Sequence, residues 1–495
     1  MSMAAAIIPW PEDADDALPL ALWDAASIAR AVGGTASGDF EVSGVEIDSR
    51  DVMPGDLFFA LKGEEMDGHK FVAGALAKGA AAVVVDRPVD GPHILVGDTS
   101  SALELLGKAA RARSGAVIVG VTGSVGKTGV KEALFAALDR ASHGAAHRSV
   151  KSYNNHVGVP LSLARLPARA KFGVFEMGMN HAGEIAALTR QVRPHIALIT
   201  TIAPAHIENL GSELAIADAK AEIFEGLEPG GTAIIPADSV HFARLRAAAQ
   251  RAGAKVVSFG LAPHADVRLL DAVAAAGGGS LITAELRDGD SGTRRICYTI
   301  AEPGEHWVTN SLGVMAAVRA AGGDLGAAGL ALAEMHGMAG RGARHELRTA
   351  EGGTALLIDE SYNANPASMR ATLAQLGAIP ATRRIAVLGA MKELGAHGPA
   401  FHAALAAPLL AAGVDEAILV GAEMADLAAE LTAELGKADT GALGKGLRFT
   451  HCNTPAQARE ALAGLGVASG DAILVKGSNS VGLGALVAQL IGEER

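Results

Sequence analysis

Aromatic residues make up only 4% of this 495-residue chain and charged residues only 19%. With so few rings, aliphatic side chains, chiefly Ala, Val and Leu, must fill the cores. A hydrophobic fraction of 49% supplies them and argues against an intrinsically disordered chain. Cysteine is nearly missing: Cys297 and Cys452 are far apart and in no metal-ligand spacing. That argues against a disulfide framework and a zinc site, and a reducing, cytoplasmic setting is expected. Basic charge is also short, with 42 Lys plus Arg against 54 Asp plus Glu and a net charge of -12. Such a balance disfavours nucleic acid and anionic membranes as partners, so any anionic ligand must be met by local donors. No apolar run is long enough for a membrane span, and the first residues lack the basic stretch of a secretory signal.

The length is that of about three domains. Short apolar runs at 42–47, 57–60, 81–85 and 94–96, with a helix-like stretch at 71–78, describe a small N-terminal α/β domain over 1–110. Over 111–339, strands at 173–176, 196–202, 232–235 and 256–259 alternate with helices, the pattern of a central, P-loop ATPase-like, mostly parallel sheet. A hairpin excursion is expected over 277–286, before a helix at 308–320. Gly-Arg-Gly at 340–342 marks a break. Beyond it, strands at 355–358, 385–388, 417–420 and 472–475 indicate a C-terminal, Rossmann-like α/β domain over 340–495.

The densest chemistry lies at 120–132, G-V-T-G-S-V-G-K-T-G-V-K-E, between an apolar run and a segment with helical apolar spacing. Strand, glycine turn and helix form a phosphate cradle. Backbone donors at Gly123, Ser124, Val125 and Gly126 curl around a polyphosphate at the positive end of a helix, Lys127 adds a point charge, and Thr128 can ligate magnesium. The match to the strict P-loop string is partial, because Val121 stands where a glycine is required. Nucleoside triphosphate binding is the reading.

Metal ligands are sought at strand ends. Glu176, in F-E-M-G-M-N, and His206, in A-P-A-H-I-E-N, each follow one, and with Thr128 they could hold magnesium between phosphate and substrate oxygens. Alone, each has a plain alternative as a solvated strand end or a surface histidine. Lys220, in I-A-D-A-K-A-E-I-F, reads from pattern as a solvated helix-face lysine. Arg341 and Arg344 could clamp a phosphate but could equally be ordinary ion-pair partners.

At 359–366 the chain reads D-E-S-Y-N-A-N-P, which closely resembles the D-D-S-Y-N-A-N-P signature of the dipeptide-adding branch of the Mur ligase family. The resemblance extends through V-E-I-D-S-R-D-V at 45–52, Y-N-N-H-V-G-V-P at 153–160, G-E-H-W-V-T-N at 304–310 and K-G-S at 476–478, in family order. It implies a monomeric, ADP-forming amide ligase of peptidoglycan precursor synthesis. ATP and Mg2+ would activate the carboxylate of UDP-N-acetylmuramoyl-tripeptide as an acyl phosphate, which the amine of D-Ala-D-Ala attacks. Residue by residue, it implies metal ligation by Glu176 and His206 and a carbamylated lysine at Lys220. Asn310 would contact adenine, Arg341 the phosphate side and Glu360 the ribose. Asp48, Ser49 and Arg50, the loop residues Asn154 and Asn155, and the signature residues Asn363 and Asn365 would bind substrate. Three positions depart from the pattern: Glu360 and Ala390 where the family has aspartate, and Asn479 where arginine is common. A different amide ligase of the superfamily, or a nucleotide-gated binding protein without turnover, are the competing readings.

Overall fold

The computed structural model describes residues 21–63, 66–204, 207–275, 279–287, 292–350, 352–438 and 446–492. They form two compact units. One runs to Ser114 and takes in Pro160–Ala168; the other holds Gly115–Val159 and the chain from Arg169 onward.

In the first unit, a sheet runs in the order Thr35–Ala36, His93–Leu95, Ala82–Val85, Asp56–Phe59, Gly44–Glu46. The run expected at 42–47 is broken: Glu41–Val42 pairs with Trp23–Asp24 in a separate ribbon, and Gly44–Glu46 pairs with Asp56–Phe59. The returning segment is tied in by side chains. Trp23 donates its indole N–H to the Ala164 carbonyl at 2.9 Å, and Arg165 donates to Val45 O and Glu46 Oε2, both at 2.6 Å.

The second unit contains two sheets. Among the described residues the larger has nine strands, starting at one edge with Ala146–Arg148, Phe172–Glu176, Val117–Thr122, Ile196–Ile199, Thr232–Pro236 and Lys255–Gly260, all parallel. The largely apolar reading of the central strands Phe172–Glu176, Val117–Thr122, Ile196–Ile199 and Thr232–Pro236 is the mark of a sheet covered on both faces. The excursion expected at 277–286 is larger than a hairpin. Val267–Ala274, Ser280–Arg287 and Thr293–Ile300 extend the same sheet as its far edge, the last two antiparallel. Helix Lys127–Ser142 packs Val130, Leu134 and Leu138 into the core at helical spacing and ends at His143 in the left-handed region.

The smaller sheet has the order Ala343–Arg348, Thr354–Glu360, Asp471–Lys476, Arg383–Gly389, Glu416–Val420, Arg448–Cys452. Its first pair is antiparallel and the rest parallel, so this region is α/β as expected. The polar edge strands Ala343–Arg348 and Arg448–Cys452 escaped sequence reading because their composition carries no apolar run. No described helix is long and apolar enough to cross a membrane.

Candidate active site

The glycine turn begins later than the P-loop string suggests. Gly120 and Val121 belong to strand Val117–Thr122, where a Cβ on Gly120 would meet Met177 Cε at 2.6 Å. Gly120 is thus a packing glycine, and the fully buried Val121 fills the core. The turn proper needs glycine twice. At Gly123 (φ 146°) a Cβ would lie 2.0 Å from Thr200 Oγ1, and at Gly126 (φ 85°) it would lie 2.8 Å from Asn310 Nδ2. The adenine-side asparagine foreseen from the resemblance therefore packs directly on the cradle. Strand Ile196–Ile199 ends three residues earlier than expected, because the next residues close on the turn: Thr200 Oγ1 donates to Val125 O at 2.5 Å, and Ser124 N donates to Thr201 O at 2.8 Å.

Lys127 opens the helix and donates to Gly123 O at 2.9 Å. Burial holds its ammonium below the usual lysine range, opposed by Glu176 and reinforced by Arg341. Thr128 is buried beside it. Glu176 ends strand Phe172–Glu176 at 1% exposure, not in water. Asn154 Nδ2 donates to Glu176 Oε1 at 2.7 Å, while Oε2 is buried with no partner. Gly178 makes room for this contact, since a Cβ there would strike Asn154 Oδ1 at 2.7 Å.

Lys220 corrects the sequence reading most sharply. It lies in the last turn of helix Glu213–Ala221 with 0% exposure, and its Nζ has no hydrogen-bond partner. Burial first, and the Lys127 charge second, push its amine well below the ordinary range; Glu222, Glu176 and Glu184 pull the other way. The helix-face position is solvated only if nothing covers it, and here the fold does. His206 lies outside the described residues.

Around these groups lies a cavity of about 810 Å³ whose lining includes Lys127, Asn154, Glu176, Asn310, Arg341 and Glu360. Val125, Gly126, Ser124, Asn363 and Asn365 also reach it. Asn365 additionally caps helix Pro366–Ala378, its Oδ1 accepting from Ser368 N at 2.9 Å. Asn155 is engaged in its own turn, Oδ1 accepting from Val157 N and Gly158 N. Asp48, Ser49 and Arg50 belong to the first unit, where Arg50 Nη2 pairs with Asp48 Oδ2 at 2.6 Å and Lys78 Nζ donates to the Ser49 and Arg50 carbonyls.

Sequence reasoning missed several groups that line or support the site. Asp359 organises the signature turn: its carboxylate accepts from Gly340 N at 2.6 Å and from Ser361 Oγ at 2.6 Å. Lys476, 1% exposed at the end of strand Asp471–Lys476, donates to Glu360 Oε2 at 3.2 Å and to Asn363 O at 3.0 Å. Its strand-end position before Gly-Ser was the available signal. Glu302, also on the cavity, has its carboxyl pushed up to about 7 by burial, with Arg344 opposing and Glu360 adding. Ser152 and His306 also line the cavity. Of the departures, Ala390 is fully buried in a hydrophobic core rather than on the cavity, while Asn479 is exposed.

The donor set fits a divalent cation. The buried Glu176 carboxylate oxygen without a partner and the buried Thr128 hydroxyl lie at the phosphate cradle, and both are oxygen donors of the kind magnesium takes. Among the described residues no group of three or more His, Cys, Asp or Glu side chains is placed to hold a metal ion by itself.

Comparison with known proteins assigns the lineage. The Mur ligase middle domain matches residues 121–318, the Mur ligase glutamate ligase domain 343–479, and the Mur ligase family catalytic domain 41–113. The UDP-N-acetylmuramoyl-tripeptide–D-alanyl-D-alanine ligase of Synechocystis sp. is 37% identical over 92% of this chain and 94% of its own length. Its Escherichia coli namesake is 36% identical over 79% and 83%. Among solved structures, MurF from Acinetobacter baumannii superposes with a TM-score of 0.79 at 30% identity, covering 96% of this chain and all of its own. MurF from Thermotoga maritima in complex with ADP gives 0.70 at 25% identity, over 91% and 98%. A cradle, a buried lysine and a family pattern that hold over the length of the chain lead to one conclusion: this protein belongs to the Mur ligase family.

Proposed function

We propose that the protein joins D-Ala-D-Ala to UDP-N-acetylmuramoyl-tripeptide with ATP, forming ADP and phosphate, in peptidoglycan precursor synthesis. The observation that carries this reading is the gathering of Lys127, Glu176, Arg341 and the signature turn on one cavity, in a chain matching ligases of that name over nearly all its length. A carboxylate is a poor acyl donor until one oxygen can leave as phosphate. In the first step the tripeptide carboxylate oxygen bonds to the γ-phosphorus as the bond to ADP breaks. In the second, the dipeptide amine bonds to the carbonyl carbon, phosphate leaves and the amine loses a proton. Lys127 and Arg341 supply positive charge where negative charge builds on the transferring phosphoryl group.

Thr128, Glu176 and His206 would hold Mg2+, which when bound neutralises phosphate charge. Lys220 supports a further element of the reading. A deprotonated amine adds carbon dioxide to form a carbamate and a proton, and burial, with the Lys127 charge beside it, pushes this amine well below the ordinary lysine range, toward the form that reacts. The carbamate would turn a cationic position anionic beside Glu176 and help orient the metal. Residues 1–110 would bind the UDP portion, 111–339 the ATP and 340–495 the incoming dipeptide. Gly123, Ser124, Val125, Gly126, Asn310 and Glu360 would hold the nucleotide; Asp48, Ser49, Arg50, Asn154, Asn155, Asn363 and Asn365 the acceptor and amine. We place the enzyme in the cytoplasm as a monomer, without nucleic-acid partners. The test is phosphate release over a panel of acceptors and amines. Turnover is expected only when ATP, magnesium, UDP-muramoyl-tripeptide and D-Ala-D-Ala are all present, and equal turnover with single amino acids would defeat the dipeptide assignment.

A further inference from the structure

We propose that Ser152 is a positioning residue for phosphoryl transfer, holding the Arg341 guanidinium against the nucleotide-binding loop; the inference rests on the ATP-dependent ligase reading above. Ser152 lines the cavity, and its Oγ accepts from Arg341 Nη2 at 3.1 Å while lying 3.5 Å from Thr128 Oγ1. One hydroxyl thus bridges the cradle and an arginine that is 189 residues away in the chain. A hydroxyl has one proton and two lone pairs. Accepting from Arg341 leaves that proton free for Thr128 or for an anionic oxygen entering the cavity.

The backbone carrying Ser152 is itself held. Lys131, on the cradle helix and fully buried, donates its ammonium to Ser149 O at 2.8 Å and to Lys151 O at 2.7 Å. Two carbonyls converge on one cation, and Lys151 adopts a left-handed conformation (φ 53°) that a non-glycine residue takes only when its surroundings require it. The helix that starts the phosphate site therefore also fixes the loop presenting Ser152. On its other side Arg341 stacks over the Tyr362 ring, 4.3 Å from its centroid. Arginine has much rotamer freedom to lose, so a fork fixed by a hydroxyl and a ring before reaction loses less of it as phosphoryl charge develops.

The test uses full-length enzyme in the complete ligation assay. Ser152→Ala is expected to lower kcat about tenfold or more, since a hydrogen bond to a charged group is lost, with the KM values for ATP and tripeptide changed by less than about twofold. Ser152→Thr, which keeps the hydroxyl, should retain most of the rate. In an Arg341→Ala background, Ser152→Ala should cost nothing further, because the group it positions is gone. A normal kcat in Ser152→Ala, a raised acceptor KM at unchanged kcat, or a loss that adds fully to that of Arg341→Ala would each overturn the proposal. Wild-type enzyme that fails to ligate D-Ala-D-Ala would overturn the ligase reading and this inference with it; wild-type ligation beside an unaffected Ser152→Ala overturns this inference alone.

Discussion

Asn154 donates its side-chain amide to one oxygen of Glu176 at 2.7 Å and leaves the other oxygen buried without a partner. The amide fixes the carboxylate's plane, so the free oxygen points in one direction before any cation arrives. Removing such an outer partner costs a metal site roughly 10- to 100-fold in affinity or activity. Asn154→Ala should therefore need about that much more magnesium for half-maximal rate, and should bind Mn2+ correspondingly weakly by electron paramagnetic resonance. An unchanged metal dependence would show that Glu176 is oriented by something else.

Lys220→Ala should abolish ligation while leaving nucleotide binding largely intact. Burial pushes this unpartnered amine well below the ordinary lysine range, toward the form that reacts with carbon dioxide, and alanine removes the carbamate it would become. A small added carboxylate is expected to restore part of the rate by standing in for the missing anion. Full activity in the alanine variant would expose an unmodified structural lysine.

Glu302 gives the fold a defined pH response. Its carboxyl titrates at about 7 in the folded chain, against about 4.3 for a free glutamate. Between those values the folded state binds more protons than the unfolded one, so stability falls as pH rises across that window and levels off above about 7. The contribution is about 4 kcal/mol at most. Glu302→Gln should flatten the dependence, melting above wild type at pH 8 with the gap closing near pH 5. Parallel Tm curves for the two proteins would remove Glu302 as the cause.

Glu360→Asp restores the family residue but shortens the side chain that meets Lys476 at 3.2 Å. Lys476 is 1% exposed and would keep only the Asn363 carbonyl. A loss of about 1–3 kcal/mol is expected, seen as a lower calorimetric Tm, because a buried charge has lost its partner. Glu360→Gln, which keeps the length but not the charge, should be at least as costly. An aspartate variant as stable as wild type would mean that Lys476 finds another anion.

Local sequence was enough for the cradle, because its groups are neighbours in the chain, whereas the signature turn was found by family resemblance and is organised by Asp359 reaching Gly340. Gly123, Gly126, Lys127 and Thr128 act within one turn, and the expectation of nucleotide binding needed nothing further away. Buried parallel strands were legible for the same reason: their apolar runs are continuous, whereas the polar edge strands Ala343–Arg348 and Arg448–Cys452 carried no such signal. What the tertiary structure alone decided was environment. Lys220 follows the pattern of a solvated helix face, and its amine is pushed well below the ordinary lysine range only because the fold covers it. Lys476 and the Ser152–Arg341 bridge depend on segments more than a hundred residues apart meeting at one cavity, and Glu302 on the approach of Arg344 and Glu360. Residue type and spacing fix which groups are available along a chain; their charge state and partners depend on desolvation and distance, which exist only once the chain has packed.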